Sequence, residues 1–286
     1  MGHVHFIHAL YSAKLIIIYF ILCIDILESL SLSLCYYLNI KGLNKMSQYK
    51  LIGVGTNAKT IKGDGSEYLT GIIYLAPFKV VVDNRTFNSC PMAEQAGCVE
   101  ACLNTAGRGA MNCVQKARLR KAELFYRDRD AFMKQLMIDL VKFQNYCNKR
   151  DIQAVIRLNG TSDIRFELIK IDGYTIFELF PRIEFYDYTK IANRKVDHID
   201  NYHLTWSYSG KEKSYSDMMQ IALDKGMNIA VVFREKVLAK HWQGLPIVDG
   251  DSDDLRILDP KGGHIVSLYA KGKAKRDTTG FVVDYA

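Results

Sequence analysis

Three cysteines in the first half of the chain have the residue type and spacing of a metal-binding motif. Cys90, Cys98 and Cys102 follow the pattern C-x7-C-x3-C inside residues 88–109, which we call the cysteine loop. Thiolates are soft ligands that select zinc, copper(I) or iron-sulfur clusters. The C-x3-C pair lets two sulfur atoms converge from one turn of backbone. The pattern therefore predicts a metal or cluster site.

Two other interpretations of these cysteines stay open from the residues alone. Free cysteines pack as small buried hydrophobes, and in an exported protein they pair as disulfides. Three glycines surround the thiols with turn-forming backbone, and no periodic apolar face contains all three cysteine positions. Metal or cluster binding is therefore favoured over core packing.

The number of thiols favours a cluster over zinc. A closed structural zinc site uses four ligands, usually in paired C-x2–4-C arms. The cysteine loop has one such arm, Cys98 with Cys102, and the single Cys90. Cys113 falls inside a helical pattern and stays open as a fourth ligand, and Cys147 is predicted to be a core residue of the next helix. Three thiolates fit better with an iron-sulfur cluster that leaves one iron open.

The composition is that of a globular protein with a basic excess. The chain has 286 residues, 49% hydrophobic and 24% charged, and a formal charge of +7. Much of the excess lies at residues 116–129, a predicted helix, and again at residues 271–276. Such charge permits nucleic-acid contact through the basic helix, although acidic residues interleave with it as on a solvated helix face.

Residues 1–45 differ in composition from the rest. Their two apolar runs, residues 15–24 and 30–38, are separated by Asp25 and Glu28. A membrane span needs about 20 mostly apolar residues, and an Asp near its centre costs roughly 2.5–3.5 kcal/mol. We therefore expect no membrane association. Translation from Met46 explains the change best, so residues 1–45 are a start-site artefact or a poorly formed signal or anchor, and residues 46–286 form one α/β domain.

Two further features of the sequence predict the cellular location of the protein and exclude one activity. The seven cysteines are odd in number and clustered, which is typical of a reducing compartment, so we expect a cytoplasmic protein. Residues 53–60 nearly match the sequence pattern of a phosphate-binding loop, but Ala58 replaces its second glycine. Gly63 and Gly65 also interrupt the helix that must follow such a loop. We therefore exclude nucleotide hydrolysis.

The elements around the cysteine loop predict a parallel sheet. An apolar run at residues 69–76 predicts a buried strand, and two long helices are predicted after the loop, from about residue 110 and over 132–147. We predict further strands at 154–158, 182–186, 203–207, 228–233, 245–248 and 264–269, and helices at 162–169, 176–179 and 215–225. This alternation predicts an α/β fold, a partial or complete parallel (β/α) barrel, with a doubly wound open sheet as the rival.

A barrel would bring particular side chains to the carboxyl ends of its strands, where active sites form. The first strand delivers the cysteine loop and a later one delivers Tyr186. The second strand delivers Asn159, Gly160, Thr161, Ser162 and Asp163. The same five residues also fit a simple turn followed by a helix N-cap.

This layout resembles the radical S-adenosylmethionine enzymes, in which three cysteines after the first barrel strand hold a [4Fe-4S] cluster. The resemblance implies Cys90, Cys98 and Cys102 as iron ligands and S-adenosylmethionine as cosubstrate. It also implies contacts from Gly160, with Ser162 or Asp163, to that cosubstrate, and Asn159 and Tyr186 would help to orient it. The spacing C-x7-C-x3-C differs from that family's C-x3-C-x2-C.

A second resemblance is to phage and prophage proteins of the gene product 88 type. It is carried by residues 57–60, Cys90 with Pro91, Gly97 with Cys98, and residues 102–109, 157–163 and 280–284. It implies a phage-type protein. Two functions follow: an iron-sulfur-cluster-binding barrel protein, with a divergent radical S-adenosylmethionine enzyme as its narrower form, or a metal-stabilised nucleic-acid-binding or structural phage protein without catalysis.

Overall fold

The computed structural model describes residues 50–55 and 67–285. The interpretation of residues 1–45, and that of most of the 53–60 stretch, therefore concerns residues outside this part of the chain.

Thirteen strands and four α-helices make up the described fold. In chain order they are β1 (Ile52–Val54), β2 (Tyr68–Ile73), β3 (Lys79–Val82), β4 (Arg85–Asn88), α1 (Asn112–Arg127), α2 (Arg129–Asn148), β5 (Gln153–Arg157), β6 (Lys170–Ile171), β7 (Tyr174–Thr175), α3 (Ile176–Leu179), β8 (Glu184–Thr189), β9 (Tyr202–Ser207), α4 (Ser214–Asp224), β10 (Asn228–Phe233), β11 (His241–Trp242), β12 (Leu245–Asp249) and β13 (Ile265–Tyr269). Short 3-10 turns lie at Leu103–Thr105, Gly107–Ala110, Phe166–Leu168, Arg256–Leu258 and Gly272–Arg276.

Nine of the strands form one sheet, in the order β1-β2-β5-β8-β9-β10-β13-β12-β11. All neighbours pair in parallel except at the two edges, where β1 and β11 are antiparallel. From β2 to β10 the sheet follows the order of the chain, as in (β/α) barrels. Within the described residues, however, the sheet ends at β1 and β11 and does not close. The α/β class with a large, mostly parallel sheet is confirmed.

The main core lies between one face of the sheet and the helices. Apolar residues at three- and four-residue spacing along α2, from Phe132 to Cys147, are buried there together with Ile156 and Phe185 of the strands. Full burial of each such side chain stabilises the fold by roughly 1.5–3 kcal/mol. Asp128 caps α2 by accepting the Ala131 N–H at 2.9 Å.

A hairpin, β3–β4, separates the first parallel strand from the cysteine loop and was not predicted. Its turn residues Asp83 and Asn84 have φ values of 49° and 60°. Asp and Asn tolerate this left-handed region, and two such residues in succession favour a two-residue hairpin turn. The Asp83-Asn84 pair after three valines was therefore the available signal.

The predicted helix at residues 162–169 is wrong. The segment is irregular except for the single turn Phe166–Leu168. The side-chain oxygen of Asn159 accepts the Ile164 N–H at 2.8 Å and the Ser162 hydroxyl at 2.9 Å. These local bonds satisfy groups that a helix would need, so the segment stays a loop.

Candidate functional site

The cysteine loop lies across the edge where the parallel strands end. The Asp163 N–H, beyond β5, donates to the carbonyl of Ser89 at 2.8 Å, and the Ser209 hydroxyl, beyond β9, donates to the carbonyl of Ala96 at 2.8 Å. The Thr279 hydroxyl donates to the carbonyl of Gly97 at 2.9 Å. Three distant segments therefore hold the loop against the carboxyl ends of the strands.

Cys90 lies between the end of β2 and the loop after β5. Its thiol donates to the carbonyl of Thr161 at 3.6 Å, and its N–H donates to the side chain of Asn88 at 2.8 Å. The Thr161 hydroxyl in turn donates to the carbonyl of Leu75 at 2.6 Å. The pKa of the Cys90 thiol is raised to about 12, mainly by burial and to a smaller extent by the nearby Cys102 and Asp163.

Cys98 lies within the electrostatic influence of a buried lysine. Burial raises the pKa of its thiol, while the Lys190 ammonium group acts in the opposite direction. Lys190 follows directly after β8, and its Nζ donates to the carbonyls of Ser207 and Tyr208 at 2.9 and 3.0 Å and lies 4.4 Å from the centre of the Phe281 ring. Burial lowers the pKa of Lys190 to about 8, although Cys98 and Asp163 oppose this shift.

Cys102 begins the turn Leu103–Thr105 and accepts the Asn104 N–H at its sulfur at 3.5 Å. Helix α1 fixes this turn through two side chains. Gln115 donates to the carbonyl of Asn104 at 2.8 Å, and the buried Arg118 guanidinium donates to the side chain of Asn104. Burial raises the pKa of Cys102, the Cys98 thiol adds to the increase, and Arg118 opposes it.

The three thiols lie on one loop, and their charges are coupled in sequence, since Cys102 raises the pKa of Cys90 and Cys98 raises that of Cys102. They are free cysteines and half-buried. Over residues 50–55 and 67–285, no three His, Cys, Asp or Glu side chains are arranged closely enough to hold a metal ion.

The rim after β5 is a dense polar network. Asn159 donates from its backbone and side-chain nitrogens to Asp187 at 2.7 and 2.9 Å. Gly160 leaves no room for a side chain, because an added Cβ would lie 2.6 Å from the Tyr74 ring. Burial raises the pKa of Asp187 to about 6, against the opposing effect of the Asn159 N–H bond. The sequence predicted Asn159, Gly160, Ser162 and Asp163 at this rim. In the structure their polar side chains form hydrogen bonds with one another and with residues of neighbouring segments.

A buried arginine fixes Asp163 in this network. Arg194 donates to Glu167 at 3.0 and 2.5 Å, to Asp163 at 3.3 Å and to the Tyr202 hydroxyl at 2.9 Å. Burial raises the pKa of Asp163, and the Arg194 guanidinium limits that rise. Because Asp163 also binds the Ser89 carbonyl through its N–H, the arginine supports the segment that carries Cys90.

Comparison with family models shows to which protein family the chain is related. The model described as "Gene product 88" matches residues 46–285. The chain belongs to the gene product 88 family. Comparison with curated proteins and with solved structures gives no match for either, so the radical S-adenosylmethionine resemblance has no support beyond the motif itself.

Tyr186 of this gene product 88 protein bonds to a polar group outside the cysteine loop and the 159–163 rim. It is fully buried on the sheet face opposite the helices, where its hydroxyl donates to Asp254 at 3.3 Å. Arg157 donates to the same carboxylate at 3.1 Å. The structure therefore joins Tyr186 to a buried arginine-aspartate pair and not to the rim formed by residues 159–163.

The other cysteines of the domain are not part of this site. Cys113 is exposed at the start of α1, and the predicted core position of Cys147 is confirmed, since it is fully buried. Lys190, Arg118 and Arg194 are site residues that sequence reasoning missed. The position of Lys190, four residues beyond the predicted strand at 182–186, was the available signal; nothing local marks the other two.

The basic helix, residues 116–129, has fewer free cations for nucleic-acid contact than its sequence predicted. Arg118 is buried, Lys121 donates to the carbonyl of Leu51 at 2.6 Å, and Arg127 forms a two-bond ion pair with Asp83. Lys116 and Arg120 remain exposed. Among the described helices of this family member, none has the length and apolar character to cross a bilayer.

Proposed function

We propose that this protein binds an iron-sulfur cluster through Cys90, Cys98 and Cys102. The observation that supports it is the placement of three free, half-buried thiols on one loop that lies across the carboxyl ends of the parallel strands. Two cationic side chains, Lys190 and Arg118, lie beside them.

The arrangement of the thiols favours a cluster over a single ion. Two sulfurs on one zinc lie at most about 4.6 Å apart, because each Zn–S bond is about 2.3 Å. In the described part of the chain no three His, Cys, Asp or Glu side chains surround a single point where one ion could be held. In a cluster each cysteine binds a different iron, so neighbouring thiols that do not surround one point remain suitable ligands.

The surroundings also suit a negatively charged group. The raised pKa values keep the thiols protonated without metal, so binding must release protons. The Lys190 and Arg118 charges compensate the thiolates formed, and the Asn104 N–H already donates to the Cys102 sulfur. A bound cluster supplies one-electron chemistry, whose potential depends on charge and on hydrogen bonds to sulfur.

A narrower form of the proposal makes S-adenosylmethionine the ligand of the iron that has no cysteine. Gly160 would then face it from the rim. Asn159, Ser162 and Asp163 would act mainly by holding that rim, because their side chains already bond within the protein. Tyr186 could contribute only from the opposite face of the sheet.

Anaerobic reconstitution of the full chain tests the proposal. Iron, sulfide and zinc are quantified with the visible spectrum for the wild type and for Cys90→Ser, Cys98→Ser and Cys102→Ser. Brown protein with about four irons and four sulfides, lost in all three variants, is the expected result. Cys113→Ser is the matched control, because Cys113 is exposed outside the site, and it should keep its iron. Stoichiometric zinc, or no metal, would refute the cluster.

The narrower form has its own assay. Reduced, reconstituted protein is incubated with S-adenosylmethionine, and 5'-deoxyadenosine is measured. Protein that holds the cluster but makes no 5'-deoxyadenosine would end the cosubstrate proposal and leave cluster binding intact.

A further inference from the structure

A basic surface groove borders the cysteine loop on its outer side. It has a volume of about 650 Å³ and lies between residues 100–105 and residues 272–279. Lys273, Lys275 and Arg276 line it and are exposed. The groove is within the size range of small-ligand sites, and its charge calls for an anion.

The positive charge of the groove is largely uncompensated. Glu100 is the partner of Lys273 at 3.5 Å, and both side chains are more than half exposed, so this pair holds weakly. The other lining carboxylate, Asp277, is turned inward and accepts bonds from Val282 N–H at 3.0 Å and the Thr279 hydroxyl at 2.7 Å. In the described part of the chain, Lys275 and Arg276 have no carboxylate partner.

The turn that carries these cations is held firmly. Ala274 is buried, and Arg234 donates to the carbonyl of Lys275 at 3.3 Å from below. The turn Gly272–Arg276 packs closely against Ala106 at Gly272. The φ of Gly272 is +57°, and an added Cβ would lie 3.0 Å from Ala106. The cations therefore stand on a rigid base, which lowers the entropy that a ligand must overcome.

Positive charge continues from the groove onto helix α1. The turn Leu103–Thr105 contacts the turn Gly272–Arg276 on one side and the turn Gly107–Ala110 on the other, and the latter contacts α1. Exposed cations lie along these elements at Arg108, Lys116 and Arg120. Lys116 and Arg120 are four residues apart, so they share one helix face. We call the six cations, from Arg276 to Arg120, the basic track.

We propose that the basic track binds the phosphate backbone of a nucleic acid. A row of cations on contacting elements is longer than one nucleotide. It matches the repeating negative charges of a phosphate backbone. Tyr269, which is 37% exposed under the Lys275 ammonium group, adds an aromatic ring at one end of the track. Such a ring beside cations suits an unpaired base better than an acidic peptide. The track does not depend on the cluster.

The test measures binding of a labelled 20-nucleotide single-stranded DNA to the full chain at several salt concentrations. Each lost phosphate contact lowers the slope of log affinity against log salt by about 0.7 for a single strand. The double variant Lys275→Gln with Arg276→Gln should thus lose about 1.4 from the slope. Taking equal affinities at 1 M salt, the variant should bind the DNA about 25-fold more weakly than the wild type at 0.1 M salt.

The matched control is Lys149→Gln with Arg182→Gln. It removes the same charge from exposed residues that precede β5 and β8, at the opposite end of the parallel strands. The control should bind like the wild type, and all proteins should melt at the same temperature. Equal losses in both double variants would overturn the proposal, as would absence of binding. Competition by polyglutamate as strong as by DNA would indicate an acidic protein instead, and equally tight binding of mononucleotides would indicate a free nucleotide; either result overturns it.

Discussion

Replacing Arg194 by methionine removes the cation at the centre of the rim without leaving a large cavity. The guanidinium side chain is fully buried, and the carboxylates of Asp163 and Glu167 that it contacts are 8% and 3% exposed. Breaking a buried ion pair by removing one partner typically costs about 3–5 kcal/mol, because a buried charge is left uncompensated. A change of 1 kcal/mol shifts the melting temperature by about 2–4 °C for a domain of this size. The expected drop is therefore about 6–20 °C at neutral pH.

The pH dependence of this loss separates charge from packing. Without Arg194 the pKa of Asp163 rises further, because burial already raises it and the guanidinium no longer opposes that shift, so between the unfolded and folded pKa values of this carboxyl the folded state binds more protons than the unfolded state. Stability that depends on such protons is present at low pH and lost as pH rises. Thermal melts of Arg194→Met at pH 5 and pH 7.5 should therefore show the smaller deficit at pH 5.

Arg127→Met is the control, since it removes an arginine from an exposed ion pair with Asp83 and should change the melting temperature little. A deficit in Arg194→Met that does not change with pH, or one no larger than in the control, would refute the reasoning. Because Asp163 holds the segment with Cys90, the variant should also reconstitute less iron than the control.

Three further predictions concern single residues of the site. Gly160→Ala places a Cβ 2.6 Å from the Tyr74 ring and 2.8 Å from Ile72; chemical denaturation should show a loss of about 1–3 kcal/mol, and an unchanged midpoint would contradict the packing argument. The Asp187 carboxyl, with its pKa raised by burial to about 6, binds its proton more tightly in the folded protein, so its contribution to stability falls by up to about 3 kcal/mol between pH 4 and 6. Asp187→Asn should remove that part of the decline in the free energy of unfolding, and an identical pH slope would count against it. Lys190→Met should make the midpoint potential of a bound cluster more negative, because a fixed positive charge favours the reduced state, whereas Lys190→Arg should largely retain it; equal potentials in spectroelectrochemical titrations of all three proteins would disprove the role.

Periodicity in the sequence was enough to predict most of the fold. Helix α2 and strand β10 were placed from local patterns alone, and the prediction of residues 228–233 as a strand is confirmed without change. The antiparallel edge strands escaped because β1 and β11 are two to three residues long and carry no periodic pattern. The 162–169 segment failed for a different reason, since the Asn159 side chain competes with helix formation.

Less of the site could be predicted than of the fold. The thiols and the residues after β5 could be placed on one edge because parallel strands end together. The partners that fix them could not, because Arg194 lies 31 positions from Asp163, and Lys190 reaches carbonyls 17 and 18 positions further along. A single sequence does not reveal such pairings, because no local rule joins residues that far apart.

The bond from Thr279 to Gly97 spans 182 positions of the chain. At roughly 5–20 residues per second of synthesis, about 10–35 s separate the appearance of these two residues. During that interval the thiols emerge on the nascent chain without the segment that later clamps them. For the cluster proposed above, a scaffold that delivers iron and sulfide would reach the thiols most easily in this window, before Thr279 bonds to Gly97. Assembly during translation, and not after it, would then be the natural order of events.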